Sequence, residues 1–351
     1  MKNSTLKLAL MSAGLFSAAN VTAAAIPDAY VPNVDVYGSI RLGADYIDAG
    51  VEDDGANGRD FLSRIGVKVS GEVSPGLTAV GVVEYGIREE NIVDFVQNKG
   101  PTLRLAFIGL KGNFGEVYFG SQTNVFHKYL RTSYFSDGLD TIRQGSVRDD
   151  DLLQYYYNEG KFSFGASVMM EGQDGDSLDQ YQLGGQYTDG PVKLQVAWSK
   201  DNRGENKGNL YGIRGWWNVT DKITLSAFHH YADDQYDIYG GSLTGTVRLR
   251  DAEFEGNKNA LNPCRTESRT SSAVYASYRT GPHQIHAKYA LDACDVSGDV
   301  KAVKVEYAHH FSKRFRMWTA VEAFNNDEGR APTTASGKDF TQVQAGARFD
   351  F

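Results

Sequence analysis

The sequence predicts an all-β protein, a closed antiparallel transmembrane β-barrel of about 16 strands. Its expected form has short periplasmic turns, long extracellular loops and a third long loop folded inward. Three observations predict it. Short runs alternate apolar and polar residues along most of the chain after the leader, which is the strand signal. The connections alternate between tight turns and long polar loops, the asymmetry of outer-membrane barrels. The composition, 38 Gly against 8 Pro with 20 Tyr and 18 Phe, suits strands, bends and aromatic girdles better than helices.

Bulk composition is uninformative by itself. The chain is 41% hydrophobic and 23% charged, with a mean hydropathy of -0.41. No segment after the leader approaches the run of about 20 apolar residues that a spanning helix needs. A membrane barrel escapes that test because half of each strand faces water.

The N-terminus reads as a cleaved signal peptide over 1–25. Lys2 and Lys7 form a positive start, Leu8 to Ala19 an apolar stretch, and Val21-Thr22-Ala23 and Ala23-Ala24-Ala25 are small-residue cleavage sites. Cleavage after Ala25 leaves an exported domain over 26–351. The net charge is -8 and becomes more negative without Lys2 and Lys7, which argues against a nucleic-acid partner. Cys264 and Cys294 are the two cysteines. An even count in an exported chain suggests one structural disulfide, with two free thiols as the alternative.

The elements follow in order. Val34 to Ile47 sets Val36, Gly38, Ile40, Leu42 and Ala44 against Asp35, Tyr37, Ser39, Arg41 and Asp45. Leu62 to Val73 sets Ile65, Val67 and Val69 against Arg64, Lys68 and Ser70. Short turns are expected at Ser74-Pro75-Gly76, Gly112 to Gly115, Asn158 to Lys161, Asp189-Gly190-Pro191, Asn218 to Asp221, Thr280-Gly281-Pro282 and Phe311 to Arg314. Long loops are expected over 48–60, 88–101, 123–151, 171–178, 201–208, 233–270, 292–299 and 326–338. The late strands alternate most clearly: Ile285, Ala287, Tyr289 and Leu291 oppose Gln284, His286 and Lys288, and the last strand ends at Phe351. A soluble sandwich also alternates, but strand lengths near the 9–11 residues of a tilted span, the turn asymmetry and the leader favour the barrel. An open edge in hydrocarbon leaves backbone groups unsatisfied, so the first strand must pair with the last. Tyr46, Tyr85, Tyr187, Trp198, Tyr211 and Trp217 fit interfacial girdles.

Segment 123–151 breaks the pattern. It is charged, has no period, and exceeds the about 12–15 residues of an ordinary structureless loop. It is expected to fold inside the wall.

Four stretches resemble the general sixteen-stranded trimeric porins of Gram-negative outer membranes. Val34-Asp35-Val36-Tyr37-Gly38 is similar to the first strand of that family, and Ser63-Arg64-Ile65-Gly66-Val67-Lys68 to the second. Arg104 to Lys111, running on from Gly115 to Gly120, resembles the fourth and fifth. Phe351 resembles the family's assembly signal. The resemblance implies a homotrimer in outer-membrane lipid and lipopolysaccharide, inserted by the outer-membrane assembly machinery. It also implies a third loop whose acids face basic residues across a constriction. Arg64 and Arg104 match family arginines by motif. Arg41 lies two residues beyond the family's basic position, here Ser39, on the same face. Asp137 and Asp140 are the candidate loop acids, although Phe135-Ser136-Asp137-Gly138-Leu139-Asp140 only loosely echoes the family's loop tip. Asp149-Asp150-Asp151 is read as the loop's exit near the mouth.

Opposed rows of fixed charge favour polar over apolar solutes and set ion preference. The expected function is therefore passive diffusion of small hydrophilic solutes and ions, mildly cation-preferring on the negative net charge. Arg131, Arg143 and Arg148 in the same loop weaken that preference. His229-His230 and His309-His310 lie on strands, where neighbours point to opposite faces, so neither pair chelates one metal. No phosphate loop or Gly-x-Ser-x-Gly motif is present. No metal, cofactor or enzymatic activity is expected. The alternatives are a substrate-specific channel of the same build, in which Tyr37, Tyr118, Tyr156 and Trp216 face inward, and an outer-membrane hydrolase or adhesin barrel.

Overall fold

The computed structural model describes residues 32–48, 55–87, 102–130, 134–138, 145–170, 178–202, 207–234, 267–295, 298–326 and 339–351. The expected signal peptide lies outside them. The alternating runs become β1 (Asn33–Asp48), β2 (Gly55–Asp60), β3 (Arg64–Ser74), β4 (Leu77–Gly86), β5 (Thr102–Gly112) and β6 (Gly115–Thr123). After a short helix α1 (Val125–Tyr129) come β7 (Arg148–Glu159), β8 (Phe162–Met169), β9 (Gln180–Asp189), β10 (Val192–Asp201), β11 (Asn209–Asn218) and β12 (Ile223–Ala232). The last are β13 (Arg269–Thr280), β14 (His283–Cys294), β15 (Gly298–His310), β16 (Phe315–Asn326) and β17 (Phe340–Asp350).

All pairings are antiparallel neighbour to neighbour, and β1 closes onto β17 from Ser39↔Asp350 to Asp48↔Thr341. β2 and β3 share one edge of β1: Asn33–Ser39 pairs with β3 and Leu42–Ile47 with β2. They are one wall strand interrupted at Phe61–Ser63, where Leu62 takes a positive φ of 66°. The wall is thus sixteen strands wide. The expected short turns all fall between consecutive strands.

Several expected loops are shorter than predicted; in 292–299, β14 runs to Cys294 and β15 starts at Gly298. The 48–60 segment contains β2, whose Gly, Ala and Asn residues give no strand signal; β1 imposes the pairing. In 123–151, β7 already begins at Arg148, so Asp149-Asp150-Asp151 belongs to a wall strand rather than to the loop's exit. Asp149 accepts a hydrogen bond from Asn124 Nδ2 at 2.8 Å.

The two faces of the wall differ as the alternation requires. Outward positions carry exposed apolar side chains, among them Leu42 (53% exposed), Ile108 (69%) and Val274 (58%). A continuous apolar belt of this extent is a lipid-facing surface, since soluble monomers rarely expose large apolar patches. Inward positions carry Arg41, Glu84, Arg104, Arg214, Lys288, Lys304, Glu306 and Glu322, all buried. The lumen also holds an apolar core. Val80, Val82, Tyr118, Tyr156 and Leu210 from the wall pack with Val125, Phe126, Tyr129 and Leu130 of the inward segment.

Candidate functional site

The third connection narrows the barrel, and its residues show why. Asn124 accepts from His127 N at 2.8 Å and so caps α1, satisfying one of the helix's orphan donors. Its Nδ2 donates to Ser146 O at 2.9 Å as well as to Asp149. One buried side chain therefore ties both ends of the loop. The Phe126 amide donates to Gln182 Oε1 on β9 at 2.9 Å, and Tyr129 OH meets Ser163 Oγ on β8 at 2.9 Å.

The wall makes room for α1 with inward glycines. A Cβ on Gly184 would strike the Tyr129 ring, and one on Gly212 would strike Leu130. Lys128 is exposed, yet its ammonium sits 3.1 Å from the Tyr156 ring centroid. Desolvation there lowers its pKa to about 8, against the pull of Glu116 and with a push from Lys111.

The tip, Tyr134 to Gly138, docks by two different chemistries. Toward β11 and β13 the contact is aromatic. Tyr134 stacks on Tyr275 at 3.9 Å, and the Arg214 guanidinium lies 4.4 Å from the Tyr134 ring and 4.2 Å from that of Trp216. Toward β15 the contact is ionic. Ser136 donates from N (2.9 Å) and Oγ (2.7 Å) to the Glu306 carboxylate. Lys304 Nζ donates to Asp137 Oδ2 at 2.7 Å and stands 3.5 Å from Glu322. The strap then meets β1 and β17: Arg41 Nη1 donates to Asp137 O at 3.2 Å and Arg348 Nη1 to Ser136 O at 3.4 Å. Gly138 has φ +78°, and a Cβ there would collide with the Arg41 guanidinium, so this turn needs glycine on both counts.

Of the predicted site residues, Arg64 and Arg104 stand together. Arg104 Nε donates to Glu84 Oε1 at 2.8 Å, and Arg64 Nε is 3.9 Å from Oε2 of the same carboxylate. The register of β4 on β5 slips so that Glu84 pairs with Leu105 and Tyr85 with Leu103. Arg104 is the extra residue of this bulge, a device that re-aims a side chain. Arg148 lies within electrostatic range of both arginines. Arg41 is buried; its Nε donates to Ser39 Oγ of its own strand at 2.8 Å, while its Nη1 reaches the loop.

Asp137 lies at the tip of the strap, against Lys304 of β15. Its side chain is fully buried in the ion pair with Lys304, a basic residue of the wall. Asp140 lies outside the described residues. Lys304, Glu306, Glu322, Arg214, Tyr275 and Arg348 were not singled out from sequence. Alternation places Lys304 and Glu306 on one face, but nothing local tells which loop residue reaches them. Cys294 is disulfide-bonded; Cys264, the other cysteine, lies outside the described residues. His229 faces out, bonded to Ser272 Oγ at 2.7 Å. His230 faces in, between Phe126 and Phe228. The pair is split across the wall as strand geometry demands.

Phe351 completes the closure. Gly38 N donates to Phe351 O at 3.0 Å and Phe351 N to Gly38 O at 3.1 Å. The Phe351 ring occupies the space a Cβ on Gly38 would need.

The chain resembles known proteins over most of its length. A family model described as Gram-negative porin matches residues 8–330. The major outer membrane protein P.IB of Neisseria gonorrhoeae is 25% identical over 317 residues, covering 84% of this chain and 89% of the relative. A monosaccharide porin of Halomonas sp is 25% identical over 274 residues, 66% of this chain and 73% of the relative. Among solved structures, an anion-selective porin from Comamonas acidovorans superposes with a TM-score of 0.70 at 19% identity, covering 92% of this chain and all of the other. Salmonella typhi OmpF gives 0.67 at 17% identity, covering 92% of this chain and all of the other. With a family match across most of the chain and a closed sixteen-strand wall around an inward strap, the chain belongs to the Gram-negative porin family and is an outer-membrane β-barrel.

Proposed function

We propose that the protein is a water-filled channel for passive diffusion of small hydrophilic solutes, with a constriction that prefers anions. The observation that carries this reading is the division of charge at the strap. The loop acid Asp137 is spent on Lys304 inside the wall contact, whereas Arg64, Arg104 and Arg148 cluster around Glu84 on the wall. Arg64 keeps about a quarter of its side chain in water (24%). A mild cation preference follows from the net charge alone, but a pore reads the charges at its narrowest point rather than the total. Tyr134 and Tyr275 are engaged in docking the loop, which favours general diffusion over a stacked aromatic path for one solute. The working form is a homotrimer in outer-membrane lipid and lipopolysaccharide, delivered by the outer-membrane assembly machinery, with Phe351 as the recognised terminus.

Reversal potentials in a salt gradient test the reading. The wild-type channel is expected to favour chloride over potassium, and Arg64→Gln to move the potential toward the cation side. A cation-preferring wild type, or no change on Arg64→Gln, overturns the anion preference. Absence of any conductance overturns the channel.

A further inference from the structure

On the short-turn side of the strap, three arginines stand in one row across adjacent strands. Arg41 on β1 pairs directly with Arg348 on β17. Arg348 pairs directly with Arg316 on β16, and Arg316 with His310 on β15. All four positions face the lumen by the alternation of their strands. Like charges directly opposite each other destabilise a sheet, so a row of this width is a structural liability unless something anionic sits against it.

The protein's own compensation is thin. Asp350, the next inward residue on β17, is the carboxylate beside the row. It accepts from Arg348 Nε at 2.8 and 3.0 Å and lies 3.6 Å from Arg316 Nη1. Arg41 is turned to Ser39 and to the Asp137 carbonyl. The nearest other acids, Glu306 and Asp137, are buried and occupied by Ser136 and Lys304. Arg279 on β13 adds another positive charge, exposed and within electrostatic range of Arg316 and His310. His310 itself holds Gln284 Oε1 at 3.0 Å.

Arg316 and Arg348 keep 18% and 17% of their side chains in water. Each guanidinium offers five N–H donors in a planar fork, and the contacts above use only a few of them. Two such forks side by side, with a third arginine close by, match the oxygens of a tetrahedral or planar oxyanion better than they match chloride. Arg348 also donates to Ser136 O on the strap, so the row lies directly where solute leaves the constriction.

We infer that Arg316 and Arg348, with Arg279 and His310 beside them, form a station that holds a small multivalent oxyanion, of which phosphate is the simplest, on the periplasmic side of the constriction. The inference rests on the channel reading above and adds to it a saturable site. Binding there must stay weak enough to release the ion, as conduction requires.

Inorganic phosphate is the probe. In planar bilayers carrying a chloride current, added phosphate is expected to reduce the current along a saturating curve. Arg316→Gln is expected to raise the half-blocking concentration about tenfold, the loss of charge-assisted hydrogen bonds. Arg316→Lys, which keeps the charge but loses the planar fork, should fall between. Lys161→Gln, in the β7–β8 turn where it pairs with Asp189 and away from the row, should leave the curve in place. A chloride-conducting wild type that phosphate does not block, or an unchanged curve in both Arg316 variants, overturns the station and leaves the channel standing. A wild type that passes no current overturns the channel reading itself. Heat-modifiable mobility confirms that each variant has assembled, and Arg316→Lys carries the test if Arg316→Gln does not assemble.

Discussion

Asp137 and Lys304 fasten the tip of the strap to the wall. The pair is buried at 2.7 Å, and Glu322 and Glu306 stand close by. Removing one member of a buried pair is costly because the other charge is left behind. Here the remaining acids can still neutralise Lys304, and an asparagine can still accept its hydrogen bond. Asp137→Asn is therefore expected to loosen the strap by about 1–3 kcal/mol without exposing a new charge. Open-channel current noise should rise while the reversal potential stays nearly fixed. A quiet channel with a large shift toward anions would place Asp137 in the water path after all. Arg64 behaves differently because it is part-exposed and shares Glu84 with Arg104, so its removal changes the field that solutes meet.

At the scale of the element, α1 is too short to be stable alone, since isolated helices below about 12–15 residues are marginal. Its stability comes from the sockets beneath it. Gly184 and Gly212 leave space for Tyr129 and Leu130, and Asn124 fixes its entry. Gly212→Ala and Gly184→Ala are each expected to cost about 1–3 kcal/mol by overpacking, to displace α1 from the wall and to change single-channel conductance. Gly185→Ala is the control: a Cβ there meets nothing closer than 3.7 Å, and its side chain points to lipid. Equal behaviour of the three variants would show that the sockets do not hold the strap. The break between β2 and β3 belongs to the same scale. It buries Phe61 against Trp318, with ring centroids 5.4 Å apart, and so fills the lumen side of an otherwise weak strand.

For the whole molecule, closure is the dominant constraint. Every wall strand has two neighbours, and the ring is completed between β1 and β17 and by the paired Gly38 and Phe351. Unpaired backbone groups cost several kcal/mol each in hydrocarbon, somewhat less near the wet rim. Deleting Phe351 is expected to leave Gly38 unpaired and to shift the barrel toward the unfolded form on heat-modifiable electrophoresis. Phe351→Trp should largely retain assembly, while Gly38→Val should mimic the deletion by displacing the ring. A fully stable deletion variant would refute this account of closure. Charge is also distributed at this scale. The chain is acidic overall, yet its inward wall near the strap carries Arg41, Arg64, Arg104, Arg148, Arg316 and Arg348, so the sign of the total does not predict the sign at the pore.

By itself the sequence determined the barrel. A period of two assigns each strand's faces, tight turns such as Ser74-Pro75-Gly76 and Asp189-Gly190-Pro191 mark one end, and the need to pair every edge in lipid forces closure of the first strand on the last. It also marked 123–151 as a break in the wall, although the segment's last four residues already belong to β7, and it placed Arg64 on the inward face. Only the tertiary structure decided what the strap touches. Lys304 and Glu306 are more than 160 residues from Ser136 and Asp137, and no local pattern encodes a meeting across the lumen. The bulge that turns Arg104 inward beside Leu105, and the row from Arg41 to Arg316, likewise depend on strand register. Register is a property of paired strands, and a single strand's sequence does not contain it.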